Sequence, residues 1–459
     1  MTDDSVHVRS FSFGRKANAS PLYLFCPFFP SFLFKKTVYI LPPMILTPHF
    51  PSVLRASIDL PSSKSLSNRA LLLGALSGNG AQVERRSTCD DTCVMSHALE
   101  QRPEVVDILA AGTAMRFLTA YFAGCKGEVH TLTGTQRMKK RPIGVLVEAL
   151  RRLGADIQYE STEGFPPLRI TGRQLQGGTL DLPADVSSQY ISALLMVAPR
   201  MCEGLTLRLQ GTIISRPYID MTLQLMARFG IQAQWLNEQT LYVPAQPYAT
   251  GITYTVESDW SAASYWYEMV ALTTDTDALI ELPWLLKESL QGDAAVRRFF
   301  EPLGVQTTFC PERGSIVLQK NPSLLLPEGE PLVLDLINQP DLAQTLVVTC
   351  ALLHRPFRFT GLRSLRIKET DRTAALATEL LKFGITLGVK GDDVLYISSY
   401  PTDAPRYDGT PIATYHDHRM ALAFAPAALR CPGIQIADPE VVSKSYPDYW
   451  KDIASLSAK

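Results

Sequence analysis

The sequence has no surplus of positive charge. Lys and Arg number 44 against 45 Asp and Glu, for a net charge of -1. A chain without a basic field is not built to hold nucleic acid by its phosphates, so any anion site must be assembled locally. Nor is there the cysteine spacing of a disulfide framework. Eight cysteines (Cys26, Cys89, Cys93, Cys125, Cys202, Cys310, Cys350 and Cys431) are scattered, with no C-x-x-C pair. That is the pattern of free thiols in a reducing compartment. Cys89, Cys93 and His97 share a helix face at four-residue spacing, but no fourth metal ligand accompanies them. An unbroken membrane-spanning run is missing too. Residues 21–43 are apolar and aromatic, yet Lys35, Lys36 and five prolines interrupt them. The N-terminus lacks the basic start and cleavage site of a secretory signal. Met44 precedes the first recognisable element, so Met44 is the expected start and 1–43 an expected disordered or artefactual extension.

What is present fits a globular protein: 46% hydrophobic and 19% charged residues over 459 positions. That length exceeds one ordinary core and predicts at least two domains. Four segments share one outline. In each, an amphipathic helix ends at a glycine (Gly154, Gly230, Gly304, Gly384), the usual helix stop. Short β-like runs follow, among them 240–243, 315–318 and 394–398. Each segment closes on an acidic residue (Asp185, Glu257, Asp341, Asp417) and a second helix that is apolar nearly all round, as buried helices are. Those helices are predicted at 188–198, 261–272, 342–353 and 418–429, and two more at 66–76 and 113–122. A repeated supersecondary unit accounts for this recurrence. One unit, between Asp91 and Gly112, is too short for its extra strands and reads as abridged. Pro244–Thr255 reads as the crossing between two halves of three units each, and ligand pockets commonly lie at such a junction.

Polar and cationic groups cluster at the helix starts, where unpaired N–H groups and the helix dipole favour an anion. Lys64, Ser65 and Arg69 precede one inner helix, without the glycines of a nucleotide-binding P-loop. At a second, Ala111-Gly112-Thr113 leaves the main chain open to close approach. A basic cluster, Arg137 to Arg141, is predicted to open a helix. Ser187, Ser188 and Gln189 sit at another helix start, Ser215-Arg216-Pro217-Tyr218 at a further one, and Asp341 follows a proline where an N-cap is expected. Arg366 to Arg372 mixes cations with Glu369 and Asp371, which cannot bind an anion; proton transfer suits Glu369, and orienting the neighbouring cations suits Asp371. From these charges alone a capped, solvated helix start reads as well.

Eight motifs in order carry a resemblance: S-K-S-L-S-N-R from Ser63, A-G-T-A-M-R from Ala111, R-M-K-K-R-P-I from Arg137, S-S-Q from Ser187, S-R-P-Y-I-D from Ser215, K-E-T-D-R from Lys368, D-H-R-M-A from Asp417 and S-K-S-Y-P-D-Y from Ser443. The chain resembles the 5-enolpyruvylshikimate-3-phosphate synthase family over roughly residues 55–453. The resemblance implies an α/β (α+β) fold of two domains, each three βαβαββ units around buried parallel helices in an inside-out α/β barrel. The domains would be 62–252, and 44–61 with 253–459. It implies transfer of the enolpyruvyl group of phosphoenolpyruvate to the 5-hydroxyl of shikimate 3-phosphate, with release of phosphate (EC 2.5.1.19), in chorismate and aromatic amino acid biosynthesis. Lys64, Ser65, Arg69, Ser187, Ser188, Gln189, Ser215, Asp341 and Lys368 would hold shikimate 3-phosphate. Lys64, Gly112, Arg137, Gln189, Arg372, Arg419 and Lys444 would hold phosphoenolpyruvate. Asp341 would serve as base at the hydroxyl, and Glu369, with Lys64 near it, would act at C3. The resemblance further implies a cytoplasmic monomer with no cofactor, no metal, and no nucleic-acid or membrane partner.

Four places depart from the family pattern: Ala110 and Ser364 stand where Asn is usual, Phe117 replaces a common Pro, and 92–108 is short. Two rivals compete with the reading. A UDP-N-acetylglucosamine enolpyruvyl transferase would need a cysteine in a mobile basic loop, and Cys125 follows an apolar helix instead. A non-catalytic anion-binding homologue would have lost Lys64, Asp341 or Glu369, and all three are present.

Overall fold

A computed structural model describes residues 44–78, 80–391, 393–401 and 406–457. The expected extension at 1–43 lies outside the described residues. The chain opens with β1 (Ile45–Leu46), β2 (Arg55–Ser57), α1 (Lys64–Ser77), β3 (Gln82–Glu84), α2 (Asp90–Gln101) and β4 (Val105–Asp107). Then come α3 (Gly112–Ala123), β5 (Val129–Thr133), α4 (Gly144–Arg152), β6 (Asp156–Tyr159), β7 (Leu168–Thr171) and β8 (Gly178–Pro183). They are followed by α5 (Ser188–Val197), β9 (Leu205–Gln210), α6 (Arg216–Arg228), β10 (Gln234–Asn237), β11 (Thr240–Val243) and β12 (Thr253–Thr255). The second half runs α7 (Trp260–Leu272), β13 (Leu279–Pro283), α8 (Val296–Phe300), β14 (Val305–Cys310), β15 (Ser315–Lys320), β16 (Leu332–Asp335) and α9 (Ala343–Leu352). It ends with β17 (Phe357–Thr360), α10 (Arg372–Leu380), β18 (Thr386–Lys390), β19 (Val394–Ser399), α11 (His418–Phe424), β20 (Ile436–Ala437) and α12 (Tyr449–Leu456).

Four sheets repeat one pattern, a parallel pair extended by an antiparallel hairpin: β4-β5-β7-β6, β8-β9-β11-β10, β2-β13-β15-β14 and β16-β17-β19-β18. Between the paired parallel strands the chain passes through one inner helix in three of the sheets, and through the whole first half and then α7 between β2 and β13; an outer helix then leads into the hairpin. Each outer helix stops before a glycine at positive φ, namely Gly154, Gly230, Gly304 and Gly384, a conformation that a side chain would strain. The abridged unit is visible in the strand order: α2 leads into the single strand β4, with no hairpin of its own.

Two crossings tie the halves together. β2 pairs with β13, and β12 returns to pair with β3, both in parallel. The apolar core accordingly forms two clusters. One gathers residues from Leu66 to Val256; the other joins Leu54, Ile58 and Leu60 to residues from Trp260 to Leu456. All six helices predicted as buried lie inside these cores. Every residue of α9 is buried, and every residue of α7 except Ser261. With no polar face to give to water, such helices are stable only at the centre. After Phe424 the last inner helix tightens into a 3-10 turn carrying Pro426, whose missing N–H cannot continue the α-helical ladder. Among the described residues no helix is long and apolar enough to cross a membrane.

Local structure corrects two expectations. The basic cluster does not open a helix: Met138–Lys140 form a 3-10 turn, and α4 begins after Pro142, at Gly144. Asp341 is not an N-cap but lies within the 3-10 turn Pro340–Leu342 that leads into α9, with its carboxylate directed at side chains. The cap of α7 is Asp259, which accepts from the amides of Ser261 and Ala262, while Glu257 is buried against Ser289 and Gln291.

Candidate active site

The helix starts of both halves converge on one cavity of about 440 Å³. Thirteen of the fifteen residues singled out from the sequence line it: Lys64, Ser65, Arg69, Gly112, Ser187, Ser188, Gln189, Ser215, Asp341, Lys368, Glu369, Arg372 and Arg419. Nine Lys and Arg side chains line it against five carboxylates. The local excess of positive charge thus arises in a chain whose net charge is -1. Held in a cleft of restricted dielectric, those charges act on an anion far more strongly than they would on an open surface.

The first half contributes hydroxyls, amides and cations. Ser63 caps α1, so Lys64 and Ser65 fall in the first turn. The Lys64 ammonium pairs with Asp91 at 3.3 Å. Burial lowers the Lys64 pKa, but Asp91, Cys89 and Glu369 together outweigh it and the net shift is upward, so the ammonium stays charged. Arg69 is 2% exposed. It donates to Thr222 at 2.7 Å, the Ser65 carbonyl at 3.0 Å and Ser192 at 3.2 Å, and its guanidinium lies over the Phe117 ring. Burial brings its pKa down to about 10, still charged at neutral pH. Ser187 caps α5, and the Gln189 amide donates to Thr113 at 3.1 Å.

The second half supplies the two carboxylates. Asp341 accepts from Arg372 at 3.0 Å, Arg419 at 3.1 Å and Lys368 at 3.4 Å. Glu369 meets Arg372 and Lys444 at 3.0 Å each, with Arg141 at 3.8 Å. Burial pushes both carboxyls upward, but the surrounding cations prevail and hold both well below their ordinary values. Arg372 joins the two, and Asp417 fixes it from behind at 2.7 Å. Asp371 does not orient the cations as expected. It caps α10 by accepting from the Ala374 amide at 3.0 Å, and the orienting role belongs to Asp417.

The other two residues sit outside the cavity wall. Arg137 donates to the Glu369 and Lys368 carbonyls at 3.0 and 3.3 Å, and Lys444 reaches the Ala110 carbonyl at 2.9 Å as well as Glu369. Both link the halves. Since Ala110 offers its backbone, the departure from Asn leaves this contact intact. Sequence reasoning missed Asp91, Ser261 and Tyr265 and gave no substrate role to Arg141 or the buried His418, all of which line the cavity. Arg141 had a signal, its place in the same basic motif as Arg137. Ser261 and Tyr265 had only their polarity within an apolar helix. The seven described cysteines are free, and among the described residues no cluster of three or more His, Cys, Asp or Glu is arranged to hold a metal.

A family model for EPSP synthase (3-phosphoshikimate 1-carboxyvinyltransferase) matches residues 100–453. A 3-phosphoshikimate 1-carboxyvinyltransferase of Bacteroides fragilis is 55% identical over 404 residues, covering 88% of this chain and 95% of that protein. The chain belongs to the EPSP synthase family. Its relative in Photobacterium profundum, of the same name, is 35% identical over 433 residues, covering 88% of this chain and 97% of that protein. Among solved structures, an EPSP synthase from Acinetobacter baumannii superposes with a TM-score of 0.68 at 21% identity, over 90% of this chain and 97% of that one. The enolpyruvyl transferase NikO from Streptomyces tendae gives 0.64 at 14% identity, over 91% and 98% of the two chains. At these identities the likeness speaks for the fold: the mixed α/β architecture described above is that of EPSP synthases and other enolpyruvyl transferases.

Proposed function

We propose that this chain transfers the enolpyruvyl group of phosphoenolpyruvate to the 5-hydroxyl of shikimate 3-phosphate, releasing phosphate, as a cytoplasmic 3-phosphoshikimate 1-carboxyvinyltransferase of aromatic amino acid biosynthesis. The observation that carries the reading is the pair of ionised carboxylates, Asp341 and Glu369, bridged by the Arg372 guanidinium inside a cationic cleft. Both substrates bring several negative charges. In this reading Lys64, Ser65, Arg69, Ser187, Ser188, Gln189, Ser215 and Lys368 hold shikimate 3-phosphate. Lys64, Gly112, Gln189, Arg372, Arg419 and Lys444 hold phosphoenolpyruvate, with Arg141 added and Arg137 supporting the 368–369 backbone. The two apolar cores mark two lobes, which we take as 62–252 and 44–61 with 253–459, closing on the substrates.

The reaction needs two proton movements. Asp341 takes the proton of the 5-hydroxyl as its oxygen attacks C2, and C3 gains a proton delivered through Glu369. The tetrahedral intermediate then loses a proton from C3, the C2–O bond to phosphate breaks, and phosphate leaves. Substrate anions compete for the cations that hold both carboxyls low in pKa. Binding therefore raises their proton affinity toward the range where general acid–base catalysis is efficient. The test is phosphate release by the purified protein. Release that requires shikimate 3-phosphate and phosphoenolpyruvate together is the expected result; release with UDP-N-acetylglucosamine in place of shikimate 3-phosphate overturns the assignment.

Gly112 gives a second test. A Cβ there would lie 2.5 Å from a terminal nitrogen of Arg141 and 3.1 Å from one of Arg116. Gly112→Ala should push Arg141 out of the cleft and remove one charge-assisted contact to phosphoenolpyruvate, worth about tenfold or more in its KM. The KM for shikimate 3-phosphate should move far less. Steady-state kinetics with each substrate varied in turn checks this.

A further inference from the structure

Asp293 is 2% exposed and is not itself part of the cavity wall. It sits in the 3-10 turn Gly292–Ala295 of the second half. The preceding residue, Gln291, ties that turn to the start of α7, bonding the Trp260 amide at 3.0 Å and the Ser258 carbonyl at 2.8 Å. The carboxylate of Asp293 holds two hydroxyls, and both line the cavity. One is Ser261 of α7, through Oδ2. The other is Tyr218 of α6, in the opposite half, at 2.9 Å through Oδ1. The halves approach closely here: a Cβ on Gly292 would meet the Cβ of Pro217 at 2.5 Å, and the Ser215 amide donates to the Ile337 carbonyl at 3.0 Å. Glycine at 292 is what lets the Tyr218 hydroxyl reach Asp293.

An ionised carboxylate only accepts hydrogen bonds. Ser261 and Tyr218 must then spend their protons on Asp293 and turn oxygen lone pairs toward the cavity. A patch that only accepts will read hydroxyl hydrogens and turn phosphate away, within a cleft that nine Lys and Arg side chains line. Besides the two hydroxyls, Asp341 and Arg419 face Asp293. Burial and Asp341 raise its pKa to about 6 against the opposing pull of Arg419, which leaves it ionised at neutral pH.

We propose that Asp293 is a positioning residue that fixes the polarity of Ser261 and Tyr218, one hydroxyl from each half, so that together they recognise the ring hydroxyls of shikimate 3-phosphate. The inference rests on the functional reading above. In Asp293→Asn the side chain keeps its shape but carries one acceptor and one donor group, so one hydroxyl must reverse and present its proton to the cavity. The experiment is steady-state kinetics on Asp293→Asn, Tyr218→Phe and the double variant, with thermal melting of each. Asp293→Asn is expected to raise the KM for shikimate 3-phosphate about tenfold or more, well beyond any change in that for phosphoenolpyruvate. The double variant should be no worse than the weaker single one, because both changes break the same bond. Equal rises in both KM values with a lowered melting temperature would make Asp293 merely structural and overturn the proposal. So would unaltered kinetics, or full additivity in the double variant. A wild-type protein that releases no phosphate from the two substrates sinks the functional reading instead, and so the two failures are distinguishable.

Discussion

Asp341→Asn and Glu369→Gln are each expected to lower kcat by about 10²–10⁴, the usual worth of a positioned acid or base, while both substrates still bind. Each change keeps the side-chain volume and removes only the charge and the basicity. It also removes a competitor for the cations. Arg419, Arg372 and Lys368 are committed to Asp341, and Arg372 and Lys444 to Glu369. Neutralising either carboxylate frees those groups for substrate anions, so the dissociation constant of shikimate 3-phosphate should hold or fall rather than rise. Equilibrium titration alongside turnover separates the two effects. Lost binding with kcat preserved would return both residues to a structural role. The direction of the pKa shifts also fixes the acid limb of stability. Both carboxyls are depressed in the folded protein, so their contribution is present above the ordinary carboxylate range and is lost as pH falls through the depressed values.

The largest stability effect is expected at Arg372. It is 1% exposed, and its guanidinium meets Asp417 at 2.7 Å and both Asp341 and Glu369 at 3.0 Å. Arg372→Met leaves Asp417, itself 0% exposed, as a buried charge keeping the Arg419 amide at 3.0 Å and His418 at 3.6 Å. Burial and the cations Lys64 and Arg419 hold His418 well below its ordinary pKa, and so uncharged, leaving it unable to replace the lost cation. Removing one partner of such a network costs about 3–5 kcal/mol. Adding Asp417→Asn should recover part of that loss, because no charge is then left stranded. Urea unfolding of the single and double variants measures both. A single variant within about 0.5 kcal/mol of the parent, the range of ordinary surface substitutions, would mean that the network does not hold the site together.

Much of the fold could be read locally. Inner helices such as α9 are apolar all round, and the outer helices carry their stop glycines, so composition and periodicity were enough to find them. The pairing of β2 with β13 could not be read that way. Its partners are far apart in the chain, and nothing in the three residues Arg55–Ser57 specifies a mate. Single side chains divided similarly. Lys64 and Glu369 were legible because a motif surrounds each, and Asp341 because an acidic residue closes each repeated segment. Asp371 was misread because a helix cap and an orienting carboxylate use the same residue at the same spacing, and only the Ala374 amide distinguishes them. Asp293 left no trace, since its importance depends on Tyr218 arriving from the other half.

The central claim is that Glu369 and Asp341 divide the proton work of an addition–elimination at phosphoenolpyruvate. The most direct measurement is turnover in D2O followed by NMR of C3. With both substrates present, deuterium is expected at C3 of the vinyl product and of recovered phosphoenolpyruvate. Without shikimate 3-phosphate none is expected, and Glu369→Gln should slow the labelling along with turnover. A product formed at full rate with no deuterium at C3 would contradict the account.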